Sequence, residues 1–187
     1  GTCQRKGCVQ GDLKASHGGL HAHTHVSDGA GSPLEAFKHA SQVTKPRFDF
    51  LWLSDHHNGI TPAEWKGCVA AANKFTKDGV FAAGCGFEKT VFDGDKGIGH
   101  FNTLFTNQLL RMPHGIPAGY QAGPAGKTWL SQFNHPPWPG TFKNYQYFPV
   151  AKDTVRLIEF NGRGAWDAKV KAYFTALGNG WKVSPSW

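Results

Sequence analysis

Three histidines and an aspartate lie within ten residues near the amino terminus, in the run Leu20–Gly29. Alternate residues of a β-strand point to the same side, so a strand over Gly18–His23 would project His21 and His23 together from its end. Two imidazoles in this arrangement suit a pair of metal ligands. The competing interpretation is that they are surface residues of a chain that contains 10 histidines.

Further polar sites along the chain make a chance cluster the weaker interpretation. Each lies on or just past a run of residues with strand character, and each contains a side chain of the metal-binding type. These sites are Ser54–Asn58, Gly86–Glu88, Gly99–Asn102 and Asn134–Pro136, which contain His56, Glu88, His100 and His135.

The elements that must position these side chains alternate between strands and helices. Phe48–Leu53 is nearly all apolar, which is typical of a strand buried on both faces of a parallel sheet. Helices are predicted to open at Ser32 and Thr61, because each precedes a proline and has a glutamate three residues later, the pattern of a capping box. A strand over Val80–Cys85 leads to Glu88. This order predicts an α/β domain with a parallel sheet whose strands end at a common rim, where ligands gather.

The second half of the chain continues this alternation. Period-two spacing in one of its strands places His100 and Asn102 on one face. Residues 136–149 are rich in aromatic residues and proline and are predicted to form a wall of the substrate cleft. The predicted strands are Ile98–Thr106, Trp129–Phe133, Val155–Phe160 and Trp181–Val183, and the predicted helix is Trp166–Leu177.

Length and charge set broad limits. The 187 residues fit an amino-terminal arm, 1–17, and one domain, 18–187. No apolar run reaches about 18 residues, so we expect no membrane span. The net charge of +7 favours anionic partners such as phosphoesters or nucleic acid. Because the basic residues are scattered, a solvated surface is the alternative explanation.

The cysteines bear on the compartment. Cys3 and Cys8 lie in the polar arm and are predicted to form a local disulfide, with a zinc half-site as the alternative. Cys68 and Cys85 are predicted to be buried small hydrophobic residues. With no leader-like segment at Gly1, this pattern favours a mature secreted or periplasmic chain.

The ordered motifs resemble those of the PHP (polymerase and histidinol phosphatase) family, especially its stand-alone metallohydrolases. The resemblance implies a distorted (β/α)₇ barrel with two or three divalent metal ions at the carboxyl ends of the strands. The matching segments are Leu20–Gly29, Phe48–His56, Gly86–Glu88, Gly99–Asn102, Phe133–Pro136 and Ile158–Asn161.

The resemblance also implies roles for individual residues. His21 and His23 would bind one metal, and Glu88 would bridge two. Asp55 would orient a neighbouring ligand. The other metal ligands would be Asp28, His56, His100 and His135.

The residues alone leave alternatives for several of these roles. Asp28 could serve only as a turn residue in Ser-Asp-Gly, and His135 could serve only as a rigid loop element before proline. His25 and His57 are weak candidates for the acid that protonates the leaving group. Glu159 receives no role beyond that of a carboxylate at a strand end.

One departure from the family pattern bears on the metal count. The chain closes at Val183–Trp187 without the Asp-x-His pair that family members carry on a further strand, so we expect a barrel that is incomplete at its carboxyl end. Either the sequence is cut short or the protein has lost that corner; in the second case the ion of His21 and His23 would be weakly held, absent or completed by water.

The resulting prediction is a metal-dependent hydrolase, and a phosphoesterase above other classes. Mixed imidazole and carboxylate ligands favour Zn²⁺, Mn²⁺ or Fe²⁺. A hydroxide bridging two such ions would attack a small phosphorylated or ester substrate. The alternative is a non-catalytic metal-binding module of the same fold that binds nucleic acid or an acidic partner, with nucleic acid the less favoured partner.

Overall fold

The computed structural model describes residues 16–106, 108–110, 129–136, 141–160 and 165–186. Within them, eight strands form two sheets. The strands are β1 (Gly18–Gly19), β2 (Phe50–Leu53), β3 (Ala82–Cys85), β4 (Phe87–Asp93), β5 (Lys96–Leu104), β6 (Leu130–Phe133), β7 (Val155–Glu159) and β8 (Ser184–Ser186).

Three α-helices of regular geometry accompany the sheets. They are α1 (Pro33–Lys38), α2 (Pro62–Phe75) and α3 (Trp166–Gly178). Shorter turns are the π-helical segment His39–Val43, the 3₁₀ turns His57–Gly59 and Pro149–Ala151, and Phe142–Tyr145, whose backbone is left-handed. None of the described helices has the length and apolar character that a membrane span needs.

Both predicted capping boxes are confirmed. The backbone N–H of Glu35 donates to Ser32 Oγ, and the carboxylate of Glu35 accepts the Ser32 N–H in return. Thr61 and Glu64 repeat this exchange at the start of α2. Each pair satisfies two backbone donors that a helix start would otherwise leave without a partner.

The first sheet has the predicted parallel order, β1-β2-β3, but the second is mixed. Its order is β4-β5-β6-β7-β8; β4 to β6 pair antiparallel, and β6 to β8 pair parallel. The expectation of a wholly parallel sheet is therefore wrong. The reason is the turn Asp93–Lys96, in which Gly94 has φ of +59° and reverses the chain directly into β5.

The two sheets meet at a seam, where His56 bridges Glu88 in parallel register. Two backbone hydrogen bonds support it: the Gly86 N–H donates to the Leu53 carbonyl, and the Glu88 N–H donates to the Asp55 carbonyl. The described residues form no closed barrel. The last strand is also displaced from its predicted position, because Trp181 and Val183 are buried ahead of β8 rather than paired in it.

The core lies between the sheets and the helices. Its largest fully buried aromatic side chains come from α1, β4, β5, β6 and the left-handed turn: Phe37, Phe87, Phe101, Phe133 and Phe142.

For the cysteine pair in the domain, the predicted burial is confirmed, and the expectation of two separate thiols is wrong. Cys68 on α2 and Cys85 at the end of β3 form a disulfide, so both are buried but neither is a free thiol. The cause is packing, because α2 lies against β3 and brings the Cα atoms to 6.2 Å. The predicted pair of Cys3 and Cys8 lies outside the described residues.

Candidate metal centre

Glu88 is the second residue of β4, and only 1% of its side chain is exposed. Ring nitrogens of five histidines lie 3.1 to 3.5 Å from its carboxylate oxygens. Oε1 faces His21 Nε2, His100 Nδ1 and His135 Nε2, and Oε2 faces His23 Nε2 and His56 Nδ1.

His21 and His23 reach the centre without the long strand that the sequence predicted. β1 ends at Gly19, and the residues that follow are held in place by hydrogen bonds from neighbouring segments of the chain. Asn102 Nδ2 donates to the Leu20 carbonyl, while Ser54 N–H donates to the Ala22 carbonyl. Because Ala22 is held in this way, the two histidines beside it point to the same region.

Asp55 supports the loop that follows His23. Its carboxylate accepts the Thr24 N–H at 2.7 Å, the Thr24 hydroxyl at 2.9 Å and the Ser27 hydroxyl at 2.8 Å. The loop also requires Gly29, because a Cβ there would lie 2.2 Å from the His23 carbonyl oxygen. Asp55 thus positions the backbone between His23 and Asp28, because these hydrogen bonds reach the loop rather than an imidazole.

Two further carboxylates lie on the outer side of the histidines. Asp28 Oδ1 is 2.6 Å from His23 Nδ1, and its Oδ2 is 3.6 Å from His56 Nε2. Glu159, at the end of β7, lies 2.9 Å from His21 Nδ1 and 3.5 Å from His135 Nδ1. Asp28 is 69% exposed, whereas Glu159 is 8% exposed, so the centre has one open and one buried end.

A buried amide network lies behind Glu88. Asn134 Nδ2 donates to Glu88 Oε1 at 2.7 Å and to Asn102 Oδ1 at 2.8 Å. Gln132 Nε2 donates to Asn134 Oδ1, and the Ser186 hydroxyl donates to Gln132 Oε1. The network connects four strands and fixes the Glu88 carboxylate from the side opposite solvent.

The side chains of this cluster suit divalent metal ions. Two ligands bound to one ion at 2.0 to 2.2 Å lie about 3.4 Å apart in tetrahedral geometry. The His21 and His23 Nε2 atoms are 3.0 Å apart, and both lie within 3.4 Å of Glu88. Four groups with donor atoms within 4.8 Å of one another occur among the described residues: His21, His135 and Glu159; His21, His23 and Glu88; His23, Asp28 and His56; and Glu88, His100 and His135.

The charges of the cluster shift the pKa values of several of its side chains. Burial alone would lower the pKa of His21, but hydrogen bonds to Glu159 and Glu88 outweigh it and raise the pKa to about 9. Burial also works to lower the pKa of His23, but hydrogen bonds with Glu88 and Asp28 outweigh it and raise that pKa. Burial opposes ionisation of Glu88, yet the imidazoles around it hold its pKa far below the usual range. In the metal-free protein, His21 is therefore protonated at neutral pH.

All seven residues predicted as metal ligands converge on this centre, but the two candidate acids do not join the four groups. His25 Nδ1 lies 2.8 Å from the Gly31 carbonyl oxygen and the residue is exposed. His57 Nε2 donates to the Leu110 carbonyl, and its ring packs on Phe87. Because Phe87 and Glu88 point to opposite faces of β4, His57 lies on the face away from the centre.

Two functional candidates were missed by the sequence reasoning, Glu159 and Asn134. Glu159 ends a parallel strand in the same way that His56 follows one, and this position was the available signal. Asn134 lies beside His135 in the segment Asn134–Pro136, but only the fold shows that it contacts Glu88.

Neither a protein-family profile nor a curated protein matches this sequence. Among solved structures, a protein from Bifidobacterium adolescentis, inferred to be a metal-dependent phosphoesterase, is similar with a TM-score of 0.58. The alignment covers 92% of this chain and 87% of that one, at 13% sequence identity. At this identity, the similarity establishes a shared fold.

Proposed function

We propose that this protein is a metal-dependent phosphoesterase. The observation that carries the proposal is the convergence of five imidazoles on the buried carboxylate of Glu88. Without bound cations, protonation of all five rings would place mutually repelling charges around one carboxylate, whereas neutral rings present lone pairs to a metal ion. The fold shared with an inferred metal-dependent phosphoesterase gives independent support.

The two oxygens of Glu88 suggest how ions would be shared. Oε1 faces one set of histidines and Oε2 faces another, so Glu88 is suited to bridge two ions. One position would use Glu88 with His100 and His135, and the next would use it with His21 and His23. His23, Asp28 and His56 form a further group, and an ion there would take His23 in place of the second position, because a neutral imidazole offers one lone pair. Zn²⁺, Mn²⁺ and Fe²⁺ suit this mixture of imidazole and carboxylate.

Bound divalent ions would supply Lewis acidity, which makes a water nucleophilic near neutral pH and neutralises charge on a phosphoryl group. The residues of the chain would hold the reacting groups in place. Glu88, fixed by Asn134, would keep its oxygens aimed at both sets of histidines, and the exposed side near Asp28 would admit the substrate. The proposed substrate is a small phosphorylated ester, in keeping with the net charge of +7.

Two finer assignments belong to the same proposal. The fold would be a PHP-type distorted (β/α)₇ barrel, since candidate ligands follow or lie on strands of both sheets around one centre. The compartment would be extracytoplasmic, either secreted or periplasmic. The Cys68–Cys85 disulfide is compatible with this compartment.

The test measures metal content and turnover together. Chelator-treated protein is reloaded with Zn²⁺, Mn²⁺ or Fe²⁺, desalted and assayed by elemental analysis and with p-nitrophenyl phosphate. We expect about two or more ions per chain and turnover that disappears on chelation and returns on reloading. The carboxylate ester p-nitrophenyl acetate, run in parallel, tests for a preference for phosphorus over carbon. Metal uptake without phosphate turnover would overturn the phosphoesterase and favour the non-catalytic module.

Metal affinity should rise with pH, because His21 must lose a proton to bind. In the metal-free protein its pKa is raised from 6.5 to about 9, so protons compete with metal across this range. Affinity should increase by up to about tenfold per pH unit for each proton displaced. Zn²⁺ competition titrations at several pH values, with calorimetry in two buffers of different ionisation enthalpy, measure the proton release. An affinity independent of pH would contradict the expectation.

A further inference from the structure

Glu159 contacts two of the histidines from the side away from Glu88. Its Oε1 is 2.9 Å from His21 Nδ1, and its Oε2 accepts the backbone N–H of His135 at 2.9 Å. Oε2 also lies 3.5 Å from His135 Nδ1. One buried carboxylate at the end of β7 therefore contacts both residues.

The other ring nitrogens of the same histidines face the centre. His21 Nε2 and His135 Nε2 lie 3.3 and 3.2 Å from Glu88 Oε1. A neutral imidazole carries its proton on one nitrogen and a lone pair on the other. A carboxylate at Nδ1 stabilises the proton there, which leaves the lone pair on Nε2 for a metal.

The backbone of His135 gives a second reason for this contact. His135 has φ of +51°, a conformation that non-glycine residues rarely adopt. Its N–H is held by Glu159, and the preceding Asn134 N–H donates to the His100 carbonyl. Glu159 thus contacts both the backbone of the turn at His135 and the imidazole ring of that residue.

We infer that Glu159 is a positioning residue that fixes His21 and His135 as Nδ1–H tautomers and aims both Nε2 atoms at the metal centre. This inference rests on the proposed metal site. The competing role is that of a direct ligand, since Glu159, His21 and His135 also offer donor atoms within 4.8 Å of one another. The two roles differ in which nitrogen of His21 binds metal.

Long-range ¹H–¹⁵N correlation spectra of the Zn²⁺-loaded protein identify the bound nitrogen of each histidine. We expect Nδ1–H with metal-bound Nε2 for His21 and His135. Glu159→Gln leaves one acceptor oxygen where the carboxylate offers two, so the Nδ1–H pattern should be lost for at least one of the two histidines, and Zn²⁺ affinity measured by chelator competition should fall about 10- to 100-fold.

Asp55→Asn is the matched control, because it also exchanges a buried carboxylate for an amide near the centre but leaves Glu159 in place. It should preserve the nitrogen pattern of His21 and His135. Metal on Nδ1 of His21 in the wild-type protein, or wild-type affinity and spectra in Glu159→Gln, would overturn the inference while leaving the metal site intact. A wild-type protein that takes up no Zn²⁺ would overturn both proposals. The wild-type spectrum tests the inference even where the variant fails to fold.

Discussion

Glu88→Gln is expected to lower phosphate-ester turnover by roughly 1000-fold or more, the value of about 4 kcal/mol of lost transition-state stabilisation. The substitution keeps the shape of the side chain but removes its negative charge. Glutamine offers one oxygen where Glu88 offers two, and these two face different sets of histidines. The metal content of the variant should fall by at least one ion per chain. Turnover and elemental analysis on the same sample measure both effects.

Glu64→Gln is the control for this variant. Glu64 is partly exposed at the start of α2 and is not among the candidate metal groups, and glutamine can also complete a capping box, so the control should keep its metal and its turnover. Circular dichroism of both variants reports whether the fold survives. A folded Glu88→Gln protein with full metal content and wild-type turnover would contradict the proposal that Glu88 bridges two ions.

Asn134→Leu is expected to reduce the free energy of unfolding of the metal-free protein by roughly 3 to 5 kcal/mol. Leucine has the same branched skeleton of side-chain heavy atoms as asparagine but can neither donate nor accept. Three buried partners would each lose a hydrogen bond: Glu88 loses an amide donor, Asn102 loses the donor to its carbonyl, and Gln132 loses its acceptor. Urea unfolding followed by tryptophan fluorescence measures the change.

Asn73→Leu makes the same substitution on the exposed face of α2. It should change the free energy of unfolding by no more than about 0.5 kcal/mol. Equal effects of the two variants would show that the amide network does not support Glu88. Because Glu88 would also lose its orientation, Asn134→Leu should bind Zn²⁺ more weakly than Asn73→Leu in the same competition assay.

The position of the centre could be predicted because most of its candidate ligands lie on or just past segments that the sequence marks as strands. His56 lies three residues past the apolar strand β2, and side chains that follow parallel strands gather at the carboxyl edge of the sheet whatever loops connect the strands. The helices could be predicted because a capping box is a local interaction of four residues. Neither inference needed long-range pairing.

The mixed pairing of the second sheet and the disulfide were not predicted, because the first begins at a hairpin turn and the second needs a contact between residues 17 positions apart. The turn Asp93–Lys96 lies between two apolar runs, and its left-handed glycine was not recognised as a hairpin signal. The Cys68–Cys85 bond requires the packing of α2 on β3. Glu159 was left without a role for the same reason, since its contact with His21 spans 138 residues.

The seam between the sheets gives the centre an architectural consequence. His21, His23 and His56 follow strands of the three-stranded sheet, whereas Glu88, His100 and His135 lie on or follow strands of the five-stranded sheet. An ion bound by both sets would act as a cross-link between two halves of the molecule that pair through an isolated bridge. Metal occupancy and the cooperative unfolding of the two sheets would then be thermodynamically linked. The same metal–ligand bonds would serve both the reaction and the stability of the folded domain.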